Sequence, residues 1–140
     1  MGVLFNAFIA FDDNPPEGEP LFSHDPNIWS LVEDYALAEC GEGRFFAALG
    51  YDPDQQYPAP LYTLRGVPEF IARYSETRRL LELEDYVGWV DAAELFAAVR
   101  HARIEEHELC RAVRVFLGVV RYLASLFGAE RVRVIFAFIP

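Results

Sequence analysis

Lysine is missing from this 140-residue chain, and all 12 basic residues are arginine. Basic residues are also scarce in the first half, where residues 1–70 carry 12 acidic side chains against Arg44 and Arg65 alone. Residues 71–140 carry 10 of each sign, so the net charge of −10 comes entirely from the first half. An acidic field of this size repels phosphate, which argues against general binding to nucleic acid or to an anionic membrane.

Long apolar runs are missing too. No stretch approaches the roughly 20 apolar residues that a membrane-spanning helix needs. The apolar start, residues 3–11, has no basic segment before it and acidic residues directly after it. This pattern indicates a strand rather than a signal peptide, and it predicts a cytoplasmic protein.

Potential metal ligands are few and badly spaced. Cys40 and Cys110 lie far apart and lack the close Cys or His spacing of structural zinc, so we expect two buried thiols, with a disulfide as the alternative. His101, Glu105 and His107 do not have the His-Glu-x-x-His spacing. We therefore predict no metal site and no cofactor.

The composition does supply a core, with 53% hydrophobic and 15% aromatic residues, and the length predicts a single domain over residues 1–140. Residues 3–11 and 132–139 are almost wholly apolar, which is typical of strands covered on both faces. Either strand would promote aggregation at an exposed edge, so we expect the two to be neighbours. The predicted class is α+β, a small, mainly antiparallel sheet with helices packed on it.

Helices are predicted between these two strands. The most distinct is a long amphipathic helix over 105–127, ended by Gly128. Capping spacings, Ser or Asp followed three residues later by Glu, predict helices over 31–39 and 91–100. The remaining predicted elements are a loop over 12–27, a short helix over 44–49, an irregular proline-rich segment over 51–60, a helix over 68–81 and a strand over 86–90.

Arg44 and Arg65 are the main candidates for binding a ligand, because each adjoins a glycine that lets backbone approach closely. Arginine donates two parallel hydrogen bonds to phosphate or carboxylate. The aromatic residues Phe45, Tyr62 and Trp89 can stack on a base. These five residues form the predicted ligand site. The alternative is that both arginines pair with nearby carboxylates and fix loops.

A second candidate surface follows the long helix. His107, Arg111, Arg114 and Arg121 fall on one stripe, with the small Gly118 in the gap. Such a stripe can face an anion or a partner. The alternative is a solvated polar face.

Four segments resemble a family of small proteins of uncharacterised function from bacteriophages and from actinobacterial and other bacterial genomes. They are Gly-Arg-Phe-Phe-Ala-Ala-Leu at 43–49, Arg-Gly-Val-Pro at 65–68, Gly-Trp-Val at 88–90 with Glu-Leu at 94–95, and Val-Arg-Val-Ile-Phe at 132–136. The resemblance implies a phage or prophage origin, hence the host cytoplasm, and it brings no established activity.

Catalytic signatures are absent from the sequence: it has no Gly-x-Ser-x-Gly element, P-loop or dinucleotide fingerprint. We expect a non-catalytic protein that sequesters a small anionic, nucleotide-type signal of host antiviral defence, in a homo-oligomer whose pocket spans subunits. One alternative is an acidic inhibitor that captures a basic host protein. The other is a small nucleotide hydrolase whose catalytic groups converge from distant positions.

Overall fold

A computed structural model describes residues 3–13, 17–18, 20–22, 27–31, 42–71 and 75–140, with the backbone alone for 27–31. The strands are β1 (Leu4–Phe11), β2 (Asn27–Leu31), β3 (Tyr86–Asp91) and β4 (Val132–Ile139). The helices are α1 (Gly43–Ala48), α2 (Glu76–Leu81), α3 (Ala92–His101) and α4 (Arg111–Phe127), with short 3-10 turns at Glu106–Glu108 and Ala129–Arg131.

The four strands form one antiparallel sheet in the order β2-β1-β4-β3. β1 and β4 pair along their whole length, from Leu4 opposite Ile139 to Phe11 opposite Val132. The predicted α+β class and the predicted adjacency of the two terminal strands are therefore confirmed. Their central place explains their composition, because a strand with neighbours on both edges and cover on both faces meets little water.

Side chains alternate between the two faces of the sheet. On one face Phe5, Ile9 and Phe136 belong to the main core, which residues of α1, α3 and α4 complete. On the other face Phe8 and Ile135 belong to a smaller core with residues from α2 and from the segments around 22 and 71. Both faces are thus covered, as the apolar strands predict.

α4 confirms the predicted long amphipathic helix, but it begins at Arg111 rather than at 105. Cys110 is extended, and its backbone N–H donates to the Glu42 carboxylate over 2.7 Å. Glu42, a buried acid, thereby fixes the chain just before the helix. Cys110 is disulfide-bonded, which corrects the expected thiol at this position; Cys40 lies outside the described residues.

Two other predictions need correction. β2 occupies positions assigned to a loop and to the start of a helix; the rest of that predicted helix, 32–39, lies outside the described residues. Of the helix predicted over 68–81, residues 68–71 are not helical, 72–74 lie outside the described residues, and α2 begins at Glu76, where Ser75 caps it by accepting the Arg78 N–H. The Arg78 side chain also donates to the carbonyls of Pro68 and Ile71.

The other local predictions are confirmed. α1, β3 and α3 lie within one or two residues of their predicted bounds, and 51–60 holds neither helix nor strand. Asp91 and Glu94 form the predicted capping box at the start of α3. Among the described helices, none has the length and apolar character needed to cross a membrane.

Candidate functional site

Trp89 is the centre of a cluster of arginine and aromatic side chains. It lies on β3 opposite Ile135 of β4, half-buried on the face of the smaller core. The guanidinium carbons of Arg65 and Arg133 lie 4.6 and 5.0 Å from its ring centroid, both within the range of a cation–π contact. Phe70 meets the same indole edge-on at 5.3 Å. One tryptophan therefore contacts two cations.

Arg133 extends from β4 into a ring of aromatic side chains. Its guanidinium carbon lies 4.1 Å from the centroid of Phe22 and 4.7 Å from that of Phe70, in addition to Trp89. None of the ion pairs within the described ranges includes Arg133, and its Nε has no hydrogen-bond partner there. We call this group the arginine–aromatic cluster; its members are Phe22, Tyr62, Arg65, Phe70, Trp89 and Arg133.

Arg65, unlike Arg133, is held by an ion pair with a carboxylate. Its two terminal nitrogens donate to the two carboxylate oxygens of Glu94, and Nη1 also reaches the Trp89 carbonyl at 3.3 Å. The neighbouring Gly66 N–H donates to the Val87 carbonyl over 2.8 Å. Since β3 is an edge strand, these bonds occupy carbonyls that would otherwise be open to another strand.

The charges in and around the cluster perturb one another. The hydrogen bond from Arg65 lowers the pKa of Glu94, whereas burial raises the pKa of Asp91. Burial also lowers the pKa of Arg133, opposed by the field of Asp91. Arginine remains charged at neutral pH despite such a shift. Arg133 is thus a partly desolvated cation close to carboxylates but without an ion pair in the described part of the chain.

The Arg65–Glu94 pair gives a pH-dependent prediction. Replacing Arg65 by alanine is expected to raise the pKa of Glu94, because the hydrogen bond is lost while the burial remains. A depressed carboxyl pKa adds stability above the unfolded value, about 4.3 for glutamate, and this stability is lost as the pH falls further. The variant should lose less stability than the wild type as the pH falls below about 4.3.

The Glu94 pKa is measured by carboxyl-carbon NMR, and stability by urea unfolding at each pH. Arg44→Ala is the matched control, because it breaks an exposed ion pair elsewhere and should leave the titration of Glu94 unchanged. An unshifted Glu94 pKa in Arg65→Ala would contradict the assigned pair.

The structure separates the five residues predicted as a ligand site. Tyr62, Arg65 and Trp89 do meet, with the guanidinium carbon of Arg65 lying 5.1 Å from the Tyr62 ring centroid. Phe45 is fully buried in the main core against Phe5 and Phe116, where a ligand has no access to its ring.

Arg44 lies in a different place. Both of its terminal nitrogens donate to Glu108 over 3.1 Å, and both side chains are about half exposed. It also lines a small cavity of about 50 Å³ beside Tyr57 and His101. This volume approaches that of two water molecules, so it has no room for a nucleotide base. Arg44 thus behaves as the alternative expected, an arginine that pairs with a carboxylate.

Arg133 was missed as a site residue, although it lies inside the last segment of the family resemblance. The available signal is simple: Arg133 is the one charged residue in the otherwise apolar strand β4. A charge facing a covered side of a sheet needs partners, which here are rings from distant parts of the sequence.

The described part of the chain offers no group of three or more His, Cys, Asp or Glu residues placed to hold a metal ion. His101 instead lies with its Nε2 3.3 Å from the Ala59 carbonyl. Comparisons with protein-family models, curated proteins and solved structures find no match to this chain.

Proposed function

We propose that this chain is a non-catalytic binding protein for a small anionic ligand of the nucleotide type. The observation that supports it is Arg133, a cation held among three aromatic rings without an ion pair in the described part of the chain. Guanidinium binds phosphate through two parallel hydrogen bonds, and such charge-assisted bonds are strongest where water is partly excluded. Arg133 therefore takes the role that the sequence suggested for Arg44.

The rest of the cluster supplies the other requirements of a nucleotide site. Tyr62 and Trp89 are half-buried rings already in cation–π contact with Arg65, and a base would contact the part of each ring that the guanidinium groups leave open. Arg65 is already neutralised by Glu94, so its part is to hold the segment of Tyr62 against β3 rather than to bind the phosphate itself. Arg65 thus positions the site, and Arg133 binds the phosphate.

The resemblance to phage proteins favours a nucleotide signal of host antiviral defence as the ligand, sequestered in the host cytoplasm. Sequestration requires tight binding and no turnover. Binding of a small anion is also compatible with the net charge of −10. The overall field repels long polyanions, whereas a small anion can be held by a local arginine.

Isothermal titration with nucleoside mono-, di- and triphosphates, cyclic nucleotides and inorganic phosphate tests the proposal. The Arg133→Ala variant is expected to bind the best ligand at least about tenfold more weakly, since a hydrogen bond to a charged group contributes about 1.5–3 kcal/mol. Arg133→Lys keeps the charge but loses the two-pronged donor, and it should bind with intermediate affinity. Arg44→Ala is the control and should bind like the wild type.

The proposal fails if no nucleotide binds more tightly than millimolar, or if folded Arg133→Ala binds as well as the wild type. Chromatography of the ligand after incubation separates the alternatives, because a binding protein returns it intact and a hydrolase does not. A stoichiometric basic host protein, recovered by pull-down and released at high salt, would favour the acidic inhibitor instead.

A further inference from the structure

The arginine–aromatic cluster offers few hydrogen-bond donors to an anion. Both terminal nitrogens of Arg65 already donate to Glu94, so this guanidinium has no open pair of donors. In the described part of the chain, Nε of Arg133 is buried without a partner, while the side chain as a whole is half-buried. A ligand therefore meets the terminal end of one guanidinium, where two nitrogens can donate in parallel.

Carboxylates surround these donors. Asp91 lies directly opposite Arg133 in the register of β3 and β4, which sets their Cβ atoms about 4.5–5.5 Å apart. Asp12 is buried, and one of its oxygens accepts the N–H of Phe22, whose ring contacts Arg133. Burial lowers the pKa of Arg133, and the fields of Asp91, Glu94 and Asp12 oppose this shift. Three carboxylates thus stand against the two guanidinium groups of the cluster, so the local excess of charge is negative.

On the basis of the proposed function, we infer that the ligand's phosphate is a diester with a single negative charge, selected by the carboxylates around Arg133. A diester has two non-bridging oxygens, which match the two terminal donors of this arginine. A terminal phosphate has a third free oxygen and, since its second pKa is about 6, nearly two charges above neutral pH. The carboxylates repel the second charge, and Arg65 is already paired. Cyclic nucleotides and dinucleotides joined by one phosphate belong to the selected class.

Nucleoside monophosphates and their methyl esters test this selection. The two members of each pair share base and sugar, and they differ by one methyl group and one charge on the phosphate. In calorimetric titrations at about pH 8, where carboxyl groups are ionised, the methyl ester should bind at least about fivefold more tightly than its parent. Each common base is measured, so the result does not depend on which base the rings prefer.

Asp91→Asn tests the cause of the selection. The change removes the charge opposite Arg133 but keeps a side-chain oxygen that can accept the Glu94 N–H, so α3 keeps a good N-cap. The monophosphate should bind at least about threefold more tightly to this variant, and the methyl ester should change by less than about twofold. Glu105→Gln is the matched control. It removes one charge from an exposed residue before α4, which packs on the opposite face of the sheet, and it should leave the preference unchanged.

The outcomes separate this inference from the proposed function. A monophosphate that binds as tightly as its methyl ester, with both weakened by Arg133→Ala, overturns the inference and leaves the proposed function standing. A preference that folded Asp91→Asn leaves unchanged also overturns it, because the carboxylate would then have no part in the selection. If neither ligand binds, or if folded Arg133→Ala binds both like the wild type, the proposed function itself fails and the inference fails with it. The comparison of the two ligands on the wild type stands even if Asp91→Asn does not fold.

Discussion

Phe5→Ala is expected to lower the free energy of unfolding by about 3–5 kcal/mol, the range for emptying a buried phenylalanine position. Phe5 has no exposed surface and lies at the centre of the main core. Its ring contacts five others, at centroid distances of 5.3–6.2 Å: Phe45, Phe46, Phe116, Phe136 and Phe138. These rings come from α1, α4 and β4, so one truncation loosens three elements together.

Urea unfolding measures this loss as a lower midpoint with an unchanged slope. Leu83→Ala is the control, because a side chain that is 78% exposed should cost less than about 0.5 kcal/mol. A loss as large as 3–5 kcal/mol is a major part of the 5–15 kcal/mol typical of a domain. A loss below about 1.5 kcal/mol for Phe5→Ala would show that the core can collapse around the missing ring, contrary to its rigid packing.

The central sheet could be predicted because the pattern that indicates it lies within each of its two central strands. β1 and β4 are apolar at nearly every position, and only a pair of strands covered on both faces needs that composition. α4 and the capping box of α3 were predictable for the same reason, since both depend on spacings of three or four residues. β2 was not, because a five-residue strand carries little pattern and the Ser30–Glu33 spacing predicted a helix from residue 31, which belongs to the strand.

The candidate site could be predicted only in part, because its contacts are distant in sequence. Arg44 and Arg65 look alike locally, each beside a glycine, yet one pairs with Glu108 and the other with Glu94. In the sequence Arg133 is one residue of a predicted strand. It becomes a candidate because its guanidinium contacts the rings of Phe22 and Phe70, which lie 111 and 63 residues earlier in the chain. Such pairings depend on how the helices and connecting segments pack on the sheet, which no local pattern specifies.

Gly88→Ala is expected to lower the free energy of unfolding by about 1–3 kcal/mol, although alanine normally stabilises a strand relative to glycine. A Cβ at this position would lie 2.8 Å from Phe136 Cε2 and 2.9 Å from Leu64 Cδ2. Phe136 is held in the core, so Leu64 must move, and it directly precedes Arg65. We therefore also expect weaker contact between Arg65 and the Trp89 carbonyl, seen as altered tryptophan fluorescence.

Two comparisons isolate this cause. Leu64→Ala in the Gly88→Ala background removes one of the two clashes, so the double variant should be more stable than the sum of the single effects. Gly118→Ala is the control, and it should raise the free energy of unfolding. A Cβ at this position meets nothing within 4 Å, and alanine is more favourable than glycine in a helix by about 0.5–1 kcal/mol. If Gly88→Ala proved as stable as the wild type, the close packing of Leu64 and Phe136 over Gly88 would be refuted, and with it the account of how the Tyr62–Arg65 segment is held against β3.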